Sequence, residues 1–80
     1  MVDINKMKGK IIEKGWNIER LAKTIGINRS TFYRKMNGNG DEFSIREADE
    51  IAKALDLTYD EINAIFFSQY IAYVRQKLEA

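Results

Sequence analysis

WNIERLAKTIGINRSTFYRKMNGN, residues 16–39, decides the fold. Asn17 is a short polar residue of the kind that caps a helix, and behind it Ile18, Leu21, Ala22 and Ile25 fall at i, i+3, i+4 and i+7. That spacing puts all four on one helical face. Gly26 follows the last turn, where a residue free to take the left-handed conformation ends a helix. Asn28 is positioned to cap a second helix running from Arg29 to about Met36. Trp16 with Leu21, and Ile27 with Phe32, stand five apart across the two caps, the spacing of a hydrophobic staple that fixes the angle at which the chain enters each helix. Two short helices held at a set angle by a tight turn are the expected result.

At 100° per residue, Phe32 and Met36 share the core side of the second helix, whereas Ser30 and Arg34 point away from it and Arg29 and Tyr33 occupy one flank. The outward face therefore carries Arg29, Ser30, Tyr33 and Arg34. Arginine offers paired donors to the O6 and N7 of guanine, serine donates or accepts, and tyrosine stacks or reaches a phosphate. An ordinary solvated surface also carries arginines. Two on so short a helix, directly after a helix-turn-helix turn, favour the base-reading role.

The pattern LAxxxGI, a capped second helix and an Asn-Gly exit resembles the Cro and repressor (XRE-like) family of phage and bacterial regulators, over roughly Lys8 to Phe67. The wording NRSTFYRKMNG is similar to regulators of mobile elements in Gram-positive bacteria. The resemblance implies an all-α, five-helix repressor-like domain that binds double-stranded DNA, with helix 29–36 in the major groove. It implies base contacts from the first two residues of that helix and from one near its fifth or sixth position, here Arg29, Ser30, and Tyr33 or Arg34. Phosphate contacts are implied for Asn17, Asn28 and Asn37, and Lys35 and Asn39 join them as backbone candidates. Two departures stand out. Many relatives begin the first motif helix with Gln, where this chain has Ile18, and many have an aliphatic residue where Lys35 stands, which allows a small rotation of the helix about Phe32 and Met36.

Around this centre the chain is organised simply. Asp3 is placed to cap a first helix to about Lys14, with Ile4, Met7, Ile11 and Ile12 as its apolar stripe and Gly15 as its stop. Lys6, Lys10 and Lys14 recur on another face and read as a solvated row. Gly38, Asn39 and Gly40 form a loop. Ser44–Glu47 and Thr58–Glu61 have the form of capping boxes, opening a fourth helix with Ile45, Ala48, Ile51, Ala52 and Leu55 inward and a fifth helix from near Tyr59. The fifth is expected to be long or broken: Ile62, Ile65 and Phe66 form one stripe, and Phe67, Tyr70, Ile71, Val74 and Leu78 an offset second one. That second stripe either folds back on the monomer or forms the seam of a homodimer.

Eighty residues make one domain, 1–80, with 67–80 as a candidate dimerisation extension. Cysteine and histidine are absent, which removes disulfides, zinc fingers and the usual general base, so neither a metal, a cofactor nor an enzyme is expected. The longest apolar run is too short to span a bilayer and no signal-peptide core opens the chain, which points to a cytoplasmic protein without a membrane partner. The net charge is only +1, but residues 1–40 hold nine Lys or Arg against three acids and residues 41–80 four against nine. Such a split turns the basic half toward phosphates. Against the regulator stand two alternatives: a helix-turn-helix adaptor or antirepressor that meets a regulatory protein partner, and an excisionase-like accessory factor that bends DNA.

Overall fold

The computed structural model describes residues 2–38, 42–67, and 77 and 78. Five helices follow one another: α1 (Ile4–Glu13), α2 (Ile18–Thr24), α3 (Arg29–Asn37), α4 (Ile45–Ala54) and α5 (Tyr59–Phe66). No strand occurs among the described residues. The all-α, five-helix architecture expected from the sequence is the one found.

Each helix begins at a side chain that satisfies an amide the helix itself leaves unpaired. Asp3, Asn17 and Asn28 accept from the backbone N–H of Lys6, Arg20 and Thr31 at 3.1, 2.8 and 2.7 Å. Ser44 and Thr58 do so within complete capping boxes, in which Glu47 and Glu61 return a carboxylate to the cap's own N–H. Removing one such cap costs on the order of 1 kcal/mol.

Three of the joints are built alike. After α1, α2 and α4 one residue turns left-handed, Gly15 (φ 76°), Gly26 (φ 81°) and Asp56 (φ 51°). The next amide reaches back over the last turn, Trp16 to Ile11, Ile27 to Ala22 and Leu57 to Ala52, at 2.9 to 3.0 Å. This is the Schellman closure, and the cap of the next helix follows immediately in every case. The angle between α2 and α3 is thus set by hydrogen bonds within the chain itself.

Met7, Ile11, Leu21, Phe32, Met36, Ile51, Leu55 and Ile65 form the centre of the core, with α2 packed on both α3 and α4, and α1 on α5. Burying a side chain of this size contributes about 1.5–3 kcal/mol. Phe43, in the segment before α4, extends the core by edge-on contact with Phe32 and Phe66, at ring separations of 5.1 and 6.3 Å. Asp3 N–H donates to the Ile65 carbonyl at 2.7 Å and ties the start of the chain to α5.

Three expectations change. Ile12 is 76% exposed and Ile45 86% exposed, although both were assigned to inward stripes. Each lies at the edge of its stripe, beyond the arc that the neighbouring helices cover. Gly38 is not loose loop but the left-handed C-cap of α3, with its N–H on the carbonyls of Arg34 and Lys35. Helix α5 ends at Phe66, and Phe67 leaves helical geometry at φ −127°. Of the second stripe, Phe67 is 42% exposed and Leu78 82% exposed. Tyr70, Ile71 and Val74 lie outside the described residues, as does Asn39.

Candidate nucleic-acid interface

Helix α3 buries Phe32 and Met36 and leaves Ser30, Arg34 and Asn37 exposed, the arrangement expected from its angular spacing. Arg29 is exposed at the first position, with its guanidinium carbon 5.6 Å from the centroid of the Tyr33 ring. Tyr33 itself is half-buried and packs against the core. Of the four expected base-reading residues, three are therefore surface groups on α3, and the fourth is a half-buried ring that backs the first.

Arg29 and Tyr33 also border a groove of about 390 Å³ that runs between α3 and α1, with Lys8, Ile12, Trp16, Asn17, Ile18 and Glu19 in its walls. Asn17 and Asn28 each commit their side-chain oxygen to a helix cap. The amide NH2 of each side chain is left as a donor, which is the end a phosphate oxygen needs.

Ion pairing sorts the cations into two groups. Lys10 pairs with Glu13 at 2.7 Å and with Glu61 of α5. Lys35 pairs with Glu47 at 2.8 Å, Arg46 with Glu50 at 3.1 Å and Lys53 with Asp49 at 3.0 Å. Among the described residues, Lys6, Lys8, Lys14, Arg20, Lys23 and Arg29 have no carboxylate at ion-pair distance. All six belong to α1, α2, α3 or their joints. The charge split of the sequence is thus sharper in three dimensions, because acids of the second half pair with Arg46 and Lys53 and also with Lys10 and Lys35 from the basic half.

Lys35, a candidate for a phosphate contact, is paired within the chain: its ammonium donates to both oxygens of Glu47, at 2.8 and 2.9 Å, in a partly buried pair. Phe32 and Met36 remain fully buried, and the polar residue at this position is met by an ion pair. Burial opposes ionisation of Glu47, but hydrogen bonds from Lys35 and from Ser44 N–H outweigh it, leaving the carboxyl below its ordinary range. Lys10 is likewise drawn to the α5 side, where its hydrogen bonds with Glu13 and Glu61 raise its pKa. On Glu61 the hydrogen bond from Lys10 comes first and that from Thr58 N–H second, and its pKa falls to about 2.

Two cations were not singled out from the sequence, Lys8, which borders the groove with α3, and Arg20, which lies over Trp16 in the groove wall. Lys8, Ile12 and Trp16 recur every four residues, which would have placed Lys8 on the groove side of α1. Arg20 stands four residues beyond Trp16, and its guanidinium carbon lies 4.0 Å from the centroid of the indole ring. The intervening joint is not helical, so no simple periodicity predicts that contact.

No cluster of His, Cys, Asp and Glu among the described residues could hold a metal ion, and no helix among them is long and apolar enough to cross a membrane. Comparison with curated proteins and with solved structures found no match. Residues 6–67, which contain all five helices but the first two residues of α1, match the Cro/C1-type HTH DNA-binding domain. That match covers most of the chain, the capped pair α2–α3 and its glycine turn included, and the chain belongs to the Cro/C1-type helix-turn-helix DNA-binding family.

Proposed function

We propose that this DNA-binding domain is a sequence-specific transcriptional regulator of the phage repressor or Cro type, serving a phage or an integrated mobile element. Helix α3 enters the major groove, Arg29, Ser30 and Arg34 meet base edges, and Tyr33 supports Arg29. Asn17, Asn28 and Asn37 hold the backbone on either side. The observation that carries this reading is the exposed polar face of α3, opposite the buried Phe32 and Met36 and bordered by a groove where Lys8 and Arg29 have no carboxylate at ion-pair distance among the described residues.

The regulator acts as a homodimer joined through the segment from Phe67 to Leu78, because one small module offers few base contacts. Two α3 helices about 34 Å apart reach successive major grooves on one side of a duplex. Support comes from the apolar spacing of that segment and from the exposure of Phe67 and Leu78. Selection from random duplexes is the test. A palindromic or repeated site is the expected outcome, a site defined only by bendability would indicate an architectural factor, and no enrichment would overturn the reading in favour of a protein-binding adaptor.

A further inference from the structure

Two of the cations without an ion-pair partner among the described residues lie over an aromatic ring, Arg29 at 5.6 Å from Tyr33 and Arg20 closer, against Trp16. The Arg20 guanidinium lies over the Trp16 indole at 4.0 Å, no carboxylate neutralises it among the described residues, and the residue's backbone N–H is the one that caps onto Asn17. Trp16 in turn is half-buried, packed against the core and set in the wall of the groove that Lys8, Asn17 and Arg29 border. A cation on a flexible stem gives up rotamer freedom when it binds a phosphate. One already held over an indole gives up less, and a guanidinium has several N–H donors to offer oxygen acceptors.

We propose that Arg20 is a DNA-backbone contact, positioned by Trp16, and that with Lys8 and Asn17 it forms a phosphate-binding edge beside α3. The proposal rests on the reading of α3 as the groove-entering helix, since only that orientation brings this edge alongside a strand. It explains how the chain dispenses with a side-chain amide at Ile18: the phosphate donor is supplied two residues later and from the side. Glu19, also in the groove wall, opposes the edge and limits its attraction for DNA of any sequence.

The test is fluorescence anisotropy on a random-sequence duplex of about two turns, over a series of salt concentrations, with thermal melting of each variant as a control. Arg20→Ala should weaken binding about 5- to 10-fold and reduce the slope of log K against log salt by about 0.9, the release of one phosphate contact. Arg20→Lys should keep the slope and lose part of the affinity. Trp16→Leu should reproduce the loss seen in Arg20→Ala, add nothing when combined with it, and be rescued by Trp16→Tyr. Glu19→Gln should tighten binding.

If wild type binds with a steep salt slope and folded Arg20→Ala keeps that slope, the proposal fails while the DNA-binding reading stands. If Trp16→Leu is folded and binds as wild type, Trp16 has no positioning role. If wild type itself shows no salt-dependent binding, it is the underlying reading that fails. A stacking contact that served only the fold would lower the melting temperature of Arg20→Ala and leave the salt slope unchanged, which also overturns the proposal.

Discussion

Lys35 Nζ lies 2.8 Å from Glu47 Oε1 and 2.9 Å from Oε2, joining the last turn of α3 to the first turn of α4. The same carboxylate accepts from Ser44 N–H at 2.8 Å, so one side chain caps α4 and anchors α3. Glu47→Ala removes both contacts and leaves Lys35 without its partner, and should lower stability by about 1–3 kcal/mol in denaturant unfolding. Lys35→Met keeps the aliphatic packing and should leave the salt slope of DNA binding unchanged. A reduced slope in Lys35→Met would return this residue to the DNA surface.

Acid should weaken the domain through Glu61. Its pKa is about 2 in the folded chain, below that of a free carboxylate, so the folded state binds fewer protons and this contribution is fully present above the ordinary carboxylate pKa. It is lost as pH falls from about 4.5 to about 2. Glu47, also depressed, adds to the same acid limb. Lys10, raised by its two glutamates, acts in the opposite direction: its contribution is complete at neutral pH and lost only as alkaline pH passes its folded value. Melting temperature followed over this range should fall on the acid side, and Glu61→Gln should flatten part of that fall. A variant whose acid limb matches wild type would show that the Lys10–Glu61 tie between α1 and α5 is not formed in solution.

The helix starts and the turns after α1 and α2 were legible from the sequence because each is a local device: Asp3, Asn17, Asn28, Ser44 and Thr58 cap from within three residues, and Gly15 and Gly26 act on their own backbone, whereas the left-handed Asp56 carries no such signal. Ile12 and Ile45 were not, since periodicity gives a helix face but not the width of the arc its neighbours cover. The Lys35–Glu47 pair spans twelve positions and a loop. Phe43 sits in no periodic pattern at all. At the interface the polar face of α3 followed from angular spacing alone, whereas Lys8 gained its place when α1, Trp16 and α3 were brought around one groove, and Arg20 through its contact with the Trp16 ring.

The left-handed joints should respond to substitution through backbone strain alone. A Cβ built on Gly26 meets nothing within 4 Å, and its φ is +81°. Gly26→Ala should therefore cost about 1–2 kcal/mol without any clash, Gly26→Val more, and Gly26→Asn less, because asparagine tolerates this region best. At Asp56, where an L residue already occupies the conformation, Asp56→Gly should be neutral or stabilising by up to about 1 kcal/mol. Equal unfolding midpoints for Gly26→Val and wild type would mean that the turn has another geometry.

Arg29 offers the sharpest separation of base reading from backbone holding. It opens α3, is exposed, and has its guanidinium 5.6 Å from the Tyr33 ring, which under the proposed function would steady its approach to a base edge. Arg29→Ala should cost about 1–3 kcal/mol on the selected site and relax preference at a single base position. Arg34→Ala should do the same at a different position, one turn further along the helix. Tyr33→Leu, which fills the half-buried space but offers no π face, should weaken the selected site more than random DNA if the ring supports Arg29. Tyr33→Phe should keep both affinities unless the hydroxyl itself donates to a phosphate, in which case selected and random duplexes weaken together. Binding of each variant to the selected site, to its single-base variants and to random duplex distinguishes these outcomes. Equal losses for Arg29→Ala on all of them would make Arg29 a phosphate contact and leave Ser30 and Arg34 as the base-reading pair.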